Sequence, residues 1–82
     1  MKEKYVFQVR SINKTFKEDK LPVELVKGDG YFYYIFDLID THNVYDSKTE
    51  YVYRLSDLTQ DEWVRLGRKF ALETMHNHGI VI

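Results

Sequence analysis

The fold is decided by residues 23–36, which read VELVKGDGYFYYIF. Val23–Lys27 is rich in β-branched residues and Tyr31–Phe36 is apolar or aromatic throughout, as is typical of strands. Gly28-Asp29-Gly30 separates the two runs, and Asp-Gly at such a place favours a hairpin because the turn needs a positive φ. We therefore predict two antiparallel strands joined by a tight turn.

A third strand is predicted further along the chain, in the run Thr49–Leu55. The polar stretch Asp37–Lys48 that precedes it is interpreted as a long hairpin connection. Because side chains alternate along a strand, Tyr51, Tyr53 and Leu55 would share one side of the third strand. The three strands then form an antiparallel meander.

The clearest helix signal lies near the C-terminus. Thr59 is followed three residues later by Glu62, which is the pattern of a capping box. Leu58 and Trp63 occupy the two positions of a hydrophobic staple around this cap. Trp63 and Phe70 fall on the apolar side of the helix, so both are predicted to lie in the core.

The first segment, Glu3–Glu18, has a pattern that fits a helix and a strand in different parts. Four apolar side chains recur at helical spacing: Tyr5, Val9, Ile12 and Phe16. Its beginning, Tyr5–Val9, is also β-branched and aromatic, as strands are. We favour a helix, with a strand as the alternative.

Together these segments predict one α+β domain over residues 1–82, in the order α-β-β-β-α. Both helices would pack on one face of the three-stranded sheet, leaving the second face open. We expect the phenylalanine-rich side of the second strand to face the helices. The open face would then carry four tyrosines: Tyr31, Tyr33, Tyr51 and Tyr53.

The composition excludes several classes of protein. The chain has no cysteine, which excludes disulfides, thiol catalysis and the usual zinc frameworks and fits a reducing compartment. It has no apolar run of about 18 residues, the length that a membrane span needs. The charged start, Met1–Lys4, leads into no signal-peptide core. We therefore expect a cytoplasmic protein that does not cross a membrane.

Aromatic residues are abundant, with seven Tyr, five Phe and one Trp in 82 residues. A core this small cannot hide so many rings, so some tyrosines should be exposed or lie in an interface. The candidate binding surface consists of six residues: Tyr31, Tyr33, Tyr51, Tyr53, Glu50 and Arg54. Its partner would be another protein or a second copy of the chain, in a homo-oligomer.

Two alternatives remain open. Sheet aromatics also stack nucleic-acid bases, but few cations accompany these strands, chiefly Lys48 and Arg54. Asp37, Asp40 and His42 could form the site of a small metal-dependent hydrolase. Neither alternative has a recognisable motif, so we expect no enzyme, no cofactor and no metal.

Two stretches of the chain, Lys27–Tyr34 and Tyr51–Trp63, resemble small open reading frames of phages and mobile elements. That group shares the pattern GDGYFYF…VYVYRLNDLTLEQW, and the similarity covers roughly half of the chain. This sequence departs from the pattern by a longer Asp37–Lys48 connection and by Gln60-Asp61 in place of an apolar–acidic pair. The resemblance implies a phage or mobile-element origin and a coherent fold, and it assigns no catalytic residue. For an interaction protein of that origin, a modulator of host machinery or host defence is a natural subtype.

Overall fold

The computed structural model describes residues 7–80 and confirms the α+β class and the α-β-β-β-α order. Its three strands form one antiparallel sheet, in which they are arranged in the order that they have along the chain. The elements along the chain are α1 (Val9–Glu18), β1 (Val23–Lys27), β2 (Phe32–Leu38), α2 (Ile39–His42), β3 (Val44–Glu50), a 3-10 turn (Leu55–Asp57) and α3 (Gln60–Asn77).

Helix α1 begins later than the sequence pattern predicts. Gln8 is extended (φ −128°, ψ 160°), so the helix starts at Val9 and not at Glu3. Ile12 and Phe16 are buried, as their helical spacing predicts. Tyr5, the first residue of the predicted helical face, lies outside the described residues.

The β1–β2 hairpin is confirmed. Lys27 is paired with Phe32 at the turn, and Gly30 has the positive φ (85°) that the turn requires. The Gly28 N–H closes the loop by donating to the Tyr31 carbonyl at 2.8 Å.

The prediction of the third strand was wrong in its position. Strand β3 is Val44–Glu50, and the segment Tyr51–Leu55 that was assigned to it contains no strand. The connection is much shorter than predicted, because the one-turn helix α2 and Asn43 in the left-handed region (φ 55°) reverse the chain. β3 is an edge strand whose side chains are mostly exposed, so it carries few of the apolar residues by which strands are recognised.

The core lies between one face of the sheet and the helices α1 and α3, which contact β1 and β2. Phe32, Tyr34 and Phe36 point into it, which confirms that the phenylalanine-rich side of β2 faces the helices. The buried apolar residues are Ile12, Phe16, Val23, Leu25, Phe32, Tyr34, Phe36, Val44, Trp63, Phe70, Ala71 and Met75.

The N-terminus of α3 has the predicted capping box. The Glu62 N–H donates to Thr59 Oγ1 at 3.1 Å, and the Thr59 N–H donates to Glu62 Oε1 at 2.8 Å. These bonds hold the pKa of the Glu62 carboxyl below its ordinary value. Trp63, one turn into the helix, is fully buried, and Leu58 packs at the edge of the core.

Gly67 sets the distance between α3 and the rest of the core. A methyl group at this position would overlap the ring of Phe16 and lie 2.8 Å from Cε1 of Tyr34. Glycine in a helix interior costs about 1 kcal/mol relative to alanine. Here the missing side chain is what allows α3 to approach these two rings.

Gly67→Ala should therefore destabilise the protein, by about 1–3 kcal/mol from overpacking that outweighs the gain in helix propensity. The measurement is the free energy of unfolding in urea. Glu73→Ala, at an exposed position of the same helix, is the control and should change it by less than about 0.5 kcal/mol. A Gly67→Ala protein at least as stable as the wild type would contradict the close approach.

Candidate functional site

The side of the sheet opposite the helices forms what we call the open face. Strand register places Val26, Tyr33 and Thr49 in one row across it, and Glu24, Ile35 and Ser47 in the next. Residues in register on an antiparallel sheet share a face, so these rows define the surface. Asp37 and Tyr45 form the third row of this face. The open face comprises Glu24, Val26, Tyr33, Ile35, Asp37, Tyr45, Ser47 and Thr49.

The middle of the open face is apolar and aromatic. Tyr33 and Ile35 are only half-buried, and Tyr45 is 57% exposed. Tyr31, in the hairpin loop, packs beside Tyr33 with a ring-centroid distance of 6.0 Å and extends the strip. The Tyr31 ring lies so close to Gly28 that a side chain there would overlap it. Contiguous exposed apolar surface of this kind is typical of interaction sites.

Of the four tyrosines predicted to share a face, the structure places only two on or beside the open face. Tyr33 lies on the open face and Tyr31 packs against it, as expected. Tyr51 and Tyr53 do not, because β3 ends at Glu50; they are 89% and 72% exposed in the irregular segment that follows.

Tyr45 is the functional candidate that sequence reasoning missed. Tyr45 is paired with Asp37 on the open face. It takes the place in the third strand that the sequence predicted for Tyr51 and Tyr53. Its only signal in the sequence is that an apolar and an aromatic residue, Val44-Tyr45, stand together within an otherwise polar stretch. In the structure Val44 is buried and Tyr45 is exposed. That pair is too short to indicate a strand without the partner strand.

Glu50 also lies elsewhere than predicted. It opposes Phe32, so its side chain is on the helix side of the sheet and not at the rim of the open face. One carboxylate oxygen, Oε2, is buried, finds no hydrogen-bond partner within residues 7–80, and lies 3.8 Å from Lys48 Nζ. Glu50 therefore belongs to the surroundings of the core.

A different hollow, of about 450 Å³, is lined by Tyr53 and Arg54. It lies on the helix side of the sheet, near the β1–β2 turn. Lys27 and Phe32 contribute to the same hollow. The backbone N–H of Arg54 donates to Asp57 Oδ2 at 3.2 Å, which fixes the 3-10 turn. The predicted surface is thus divided between two sides of the molecule.

Two successive hydrogen bonds, one buried and one partly buried, hold β2 in position on the helix side of the sheet. The Tyr34 hydroxyl donates to the Trp63 carbonyl at 2.6 Å, and the Trp63 indole N–H donates to the Leu55 carbonyl at 2.7 Å. Burial raises the pKa of the Tyr34 hydroxyl above its ordinary value, and the nearby Glu50 carboxylate adds to this. Tyr34 therefore remains a neutral donor, and its neighbours on β2, Tyr33 and Ile35, point to the opposite face.

The raised pKa of Tyr34 predicts a loss of stability in alkali. The folded state holds this proton more tightly than the unfolded state, so the contribution is complete below pH about 10 and is lost as the pH rises above it. Tyr34→Phe should remove this dependence and cost about 1–2 kcal/mol at neutral pH, because the Trp63 carbonyl loses its donor.

The measurement is the free energy of unfolding in urea between about pH 8 and pH 11. Tyr45→Phe changes an exposed hydroxyl and serves as the control, with the slope of the wild type. An identical alkaline slope in Tyr34→Phe and the wild type would show that Tyr34 does not carry the effect.

Two of the three residues considered for a metal-dependent hydrolase, Asp37 and His42, make local hydrogen bonds. Asp37 Oδ1 accepts a hydrogen bond from the Ile39 N–H at 3.1 Å, at the start of α2. His42 Nδ1 lies 2.9 Å from Thr41 Oγ1. Within the described chain, no group of three His, Asp or Glu side chains is close enough to hold a metal ion.

Comparisons of the chain with models of known protein families, with curated proteins and with solved structures found no match. Between residues 7 and 80, no helix is both long enough and apolar enough to cross a membrane.

Proposed function

We propose that this protein is a non-enzymatic interaction module that binds a protein partner through the open face of its sheet. The observation that carries the proposal is an aromatic and aliphatic strip on the side of the sheet away from the helices. The strip consists of Val26, Tyr31, Tyr33, Ile35 and Tyr45. Tyrosine suits such a surface because it provides a large contact area at a low cost in conformational entropy.

The charges on the open face favour a protein over a nucleic acid. The ionisable residues of the defined face that carry charge at neutral pH are Glu24 and Asp37, both acidic and exposed. Binding of a phosphate backbone needs cations. The two cations nearest the strands in the sequence, Lys48 and Arg54, lie outside the open face. A nucleic acid with its bases stacked on the open face would bring its phosphates towards the carboxylates of Glu24 and Asp37.

A second copy of the chain is the alternative partner. Two open faces packed together would bring together the acids Glu24 and Asp37 of both copies, with no basic residue of the open face to neutralise them. A different protein can supply the missing positive charge, so we place it first and the homo-oligomer second.

The biological setting is part of the same proposal. The resemblance of Lys27–Tyr34 and Tyr51–Trp63 to small phage and mobile-element reading frames supports a modulator of host machinery or host defence. Such a protein would act in the cytoplasm of the host cell, and the absence of cysteine fits that reducing compartment.

The test compares two pairs of tyrosine substitutions. Tyr33→Ser/Tyr45→Ser changes the open face, and Tyr51→Ser/Tyr53→Ser changes an equal number of tyrosines outside it. In a pull-down from bacterial lysate, a partner should be retained by the wild type and by the Tyr51/Tyr53 variant and lost by the Tyr33/Tyr45 variant. Thermal unfolding establishes that both variants are folded.

Light scattering at several concentrations separates the two kinds of partner. A wild-type dimer that the Tyr33/Tyr45 variant abolishes would identify a second copy of the chain as the partner. The proposal fails if the two variants behave alike, both in solution mass and in the partners that they retain.

A further inference from the structure

One end of the open face, near α2, contains a shallow groove of about 340 Å³. Its apolar part is formed by Leu21 and Pro22, just before β1, and by Ile35 of β2. Its polar part is formed by three side chains, one from each strand: Glu24, Asp37 and Tyr45. The groove thus combines aliphatic surface, one aromatic ring and two carboxylates.

The two carboxylates are diagonal neighbours on the adjacent strands β1 and β2, and both are next to Ile35 on the open face. Glu24 is in register with Ile35, and Asp37 follows two residues later on the same face of β2. Asp37 is held there because its backbone N–H donates to the Pro22 carbonyl at 3.0 Å. Its Oδ1 accepts from the Ile39 N–H, so Oδ2 is the oxygen that would meet a ligand.

Neither carboxylate forms an ion pair with another residue of the described chain. The ion pairs found within residues 7–80 are Lys48–Glu50 and Arg68–Asp19, and both lie outside the groove. Acidic residues are disfavoured in strands, yet Glu24 is the second residue of β1 and makes no side-chain hydrogen bond with the rest of the described chain. The groove therefore has two negative charges that a partner can neutralise.

We propose that this groove binds one arginine side chain of the protein partner, an inference that rests on the proposed function of the open face. The aliphatic stem would lie on Leu21, Pro22 and Ile35, as long cationic side chains do on apolar surface. The guanidinium would reach Glu24 and Asp37 with its several donors. Stacking on the Tyr45 ring favours arginine over lysine, because the guanidinium is planar.

The test uses two acetylated tripeptide amides, Leu-Arg-Leu and Leu-citrulline-Leu, which differ in the charge of the central side chain. Each is titrated into the full-length ¹⁵N-labelled protein, and backbone amide shifts are followed. The arginine peptide should shift amides around Glu24, Asp37 and Tyr45 and bind at least about fivefold more tightly than the citrulline peptide.

Matched variants assign this preference to the groove. Glu24→Gln/Asp37→Asn should bind the two peptides equally, whereas Asp46→Asn, which removes an exposed acid on the other side of β3, should keep the wild-type preference. Equal binding of both peptides by the wild type, shifts confined to another surface, or no shift at the solubility limit of the peptide would each overturn the arginine site.

The failure of this inference can be distinguished from failure of the proposed function. A partner lost by Tyr33→Ser/Tyr45→Ser but retained undiminished by Glu24→Gln/Asp37→Asn would keep the open face as the interface and overturn the arginine site. An arginine preference in the groove, together with partners that no open-face substitution affects, would overturn the interface alone.

Discussion

The structure depends on the contact between Tyr34 and helix α3. Tyr34 is the one tyrosine of the described chain whose ring is fully buried, and its hydroxyl reaches the Trp63 carbonyl. Gly67, one turn further along α3, has no side chain and so allows the helix to lie on this ring and on Phe16. A polar group at the centre of a small core is tolerated because its hydroxyl is hydrogen-bonded to the helix.

Because of this contact, the side chains on the two faces of β2 have different roles. Alternate residues, Phe32, Tyr34 and Phe36, hold the helices, and the residues between them, Tyr33 and Ile35, are presented on the opposite face. An open-face side chain on β2 therefore shares its backbone with the best-packed strand of the molecule. Aromatic side chains on a strand whose backbone is fixed by packing lose little conformational entropy on binding.

The edge strands give the open face its chemical character. β1 contributes Glu24 and β3 contributes Tyr45, which flank the apolar centre on either side of β2. Charged and polar residues on edge strands also oppose the addition of further strands from other molecules. The proposed interface therefore lies on the face of the sheet and not at its edges, and the charge of that face would suit a basic partner.

The sequence by itself determined the elements whose signals are local. The Asp29-Gly30 turn, the aromatic strand that follows it and the Thr59–Glu62 capping box depend on neighbouring residues, and all three are present as predicted. The inward direction of Phe32 and Phe36 also follows from alternation along one strand.

Only the tertiary structure decided where the third strand lies and which tyrosines share a face. The polar segment Val44–Glu50 is a strand because a tight reversal at α2 and Asn43 aligns it with β2, whereas the more strand-like Tyr51–Leu55 is not aligned with any of the described strands and pairs with none. The physical reason is that a strand is stabilised by hydrogen bonds to another strand. Its position therefore depends on register and on chain reversal, which the propensities of its own residues do not specify.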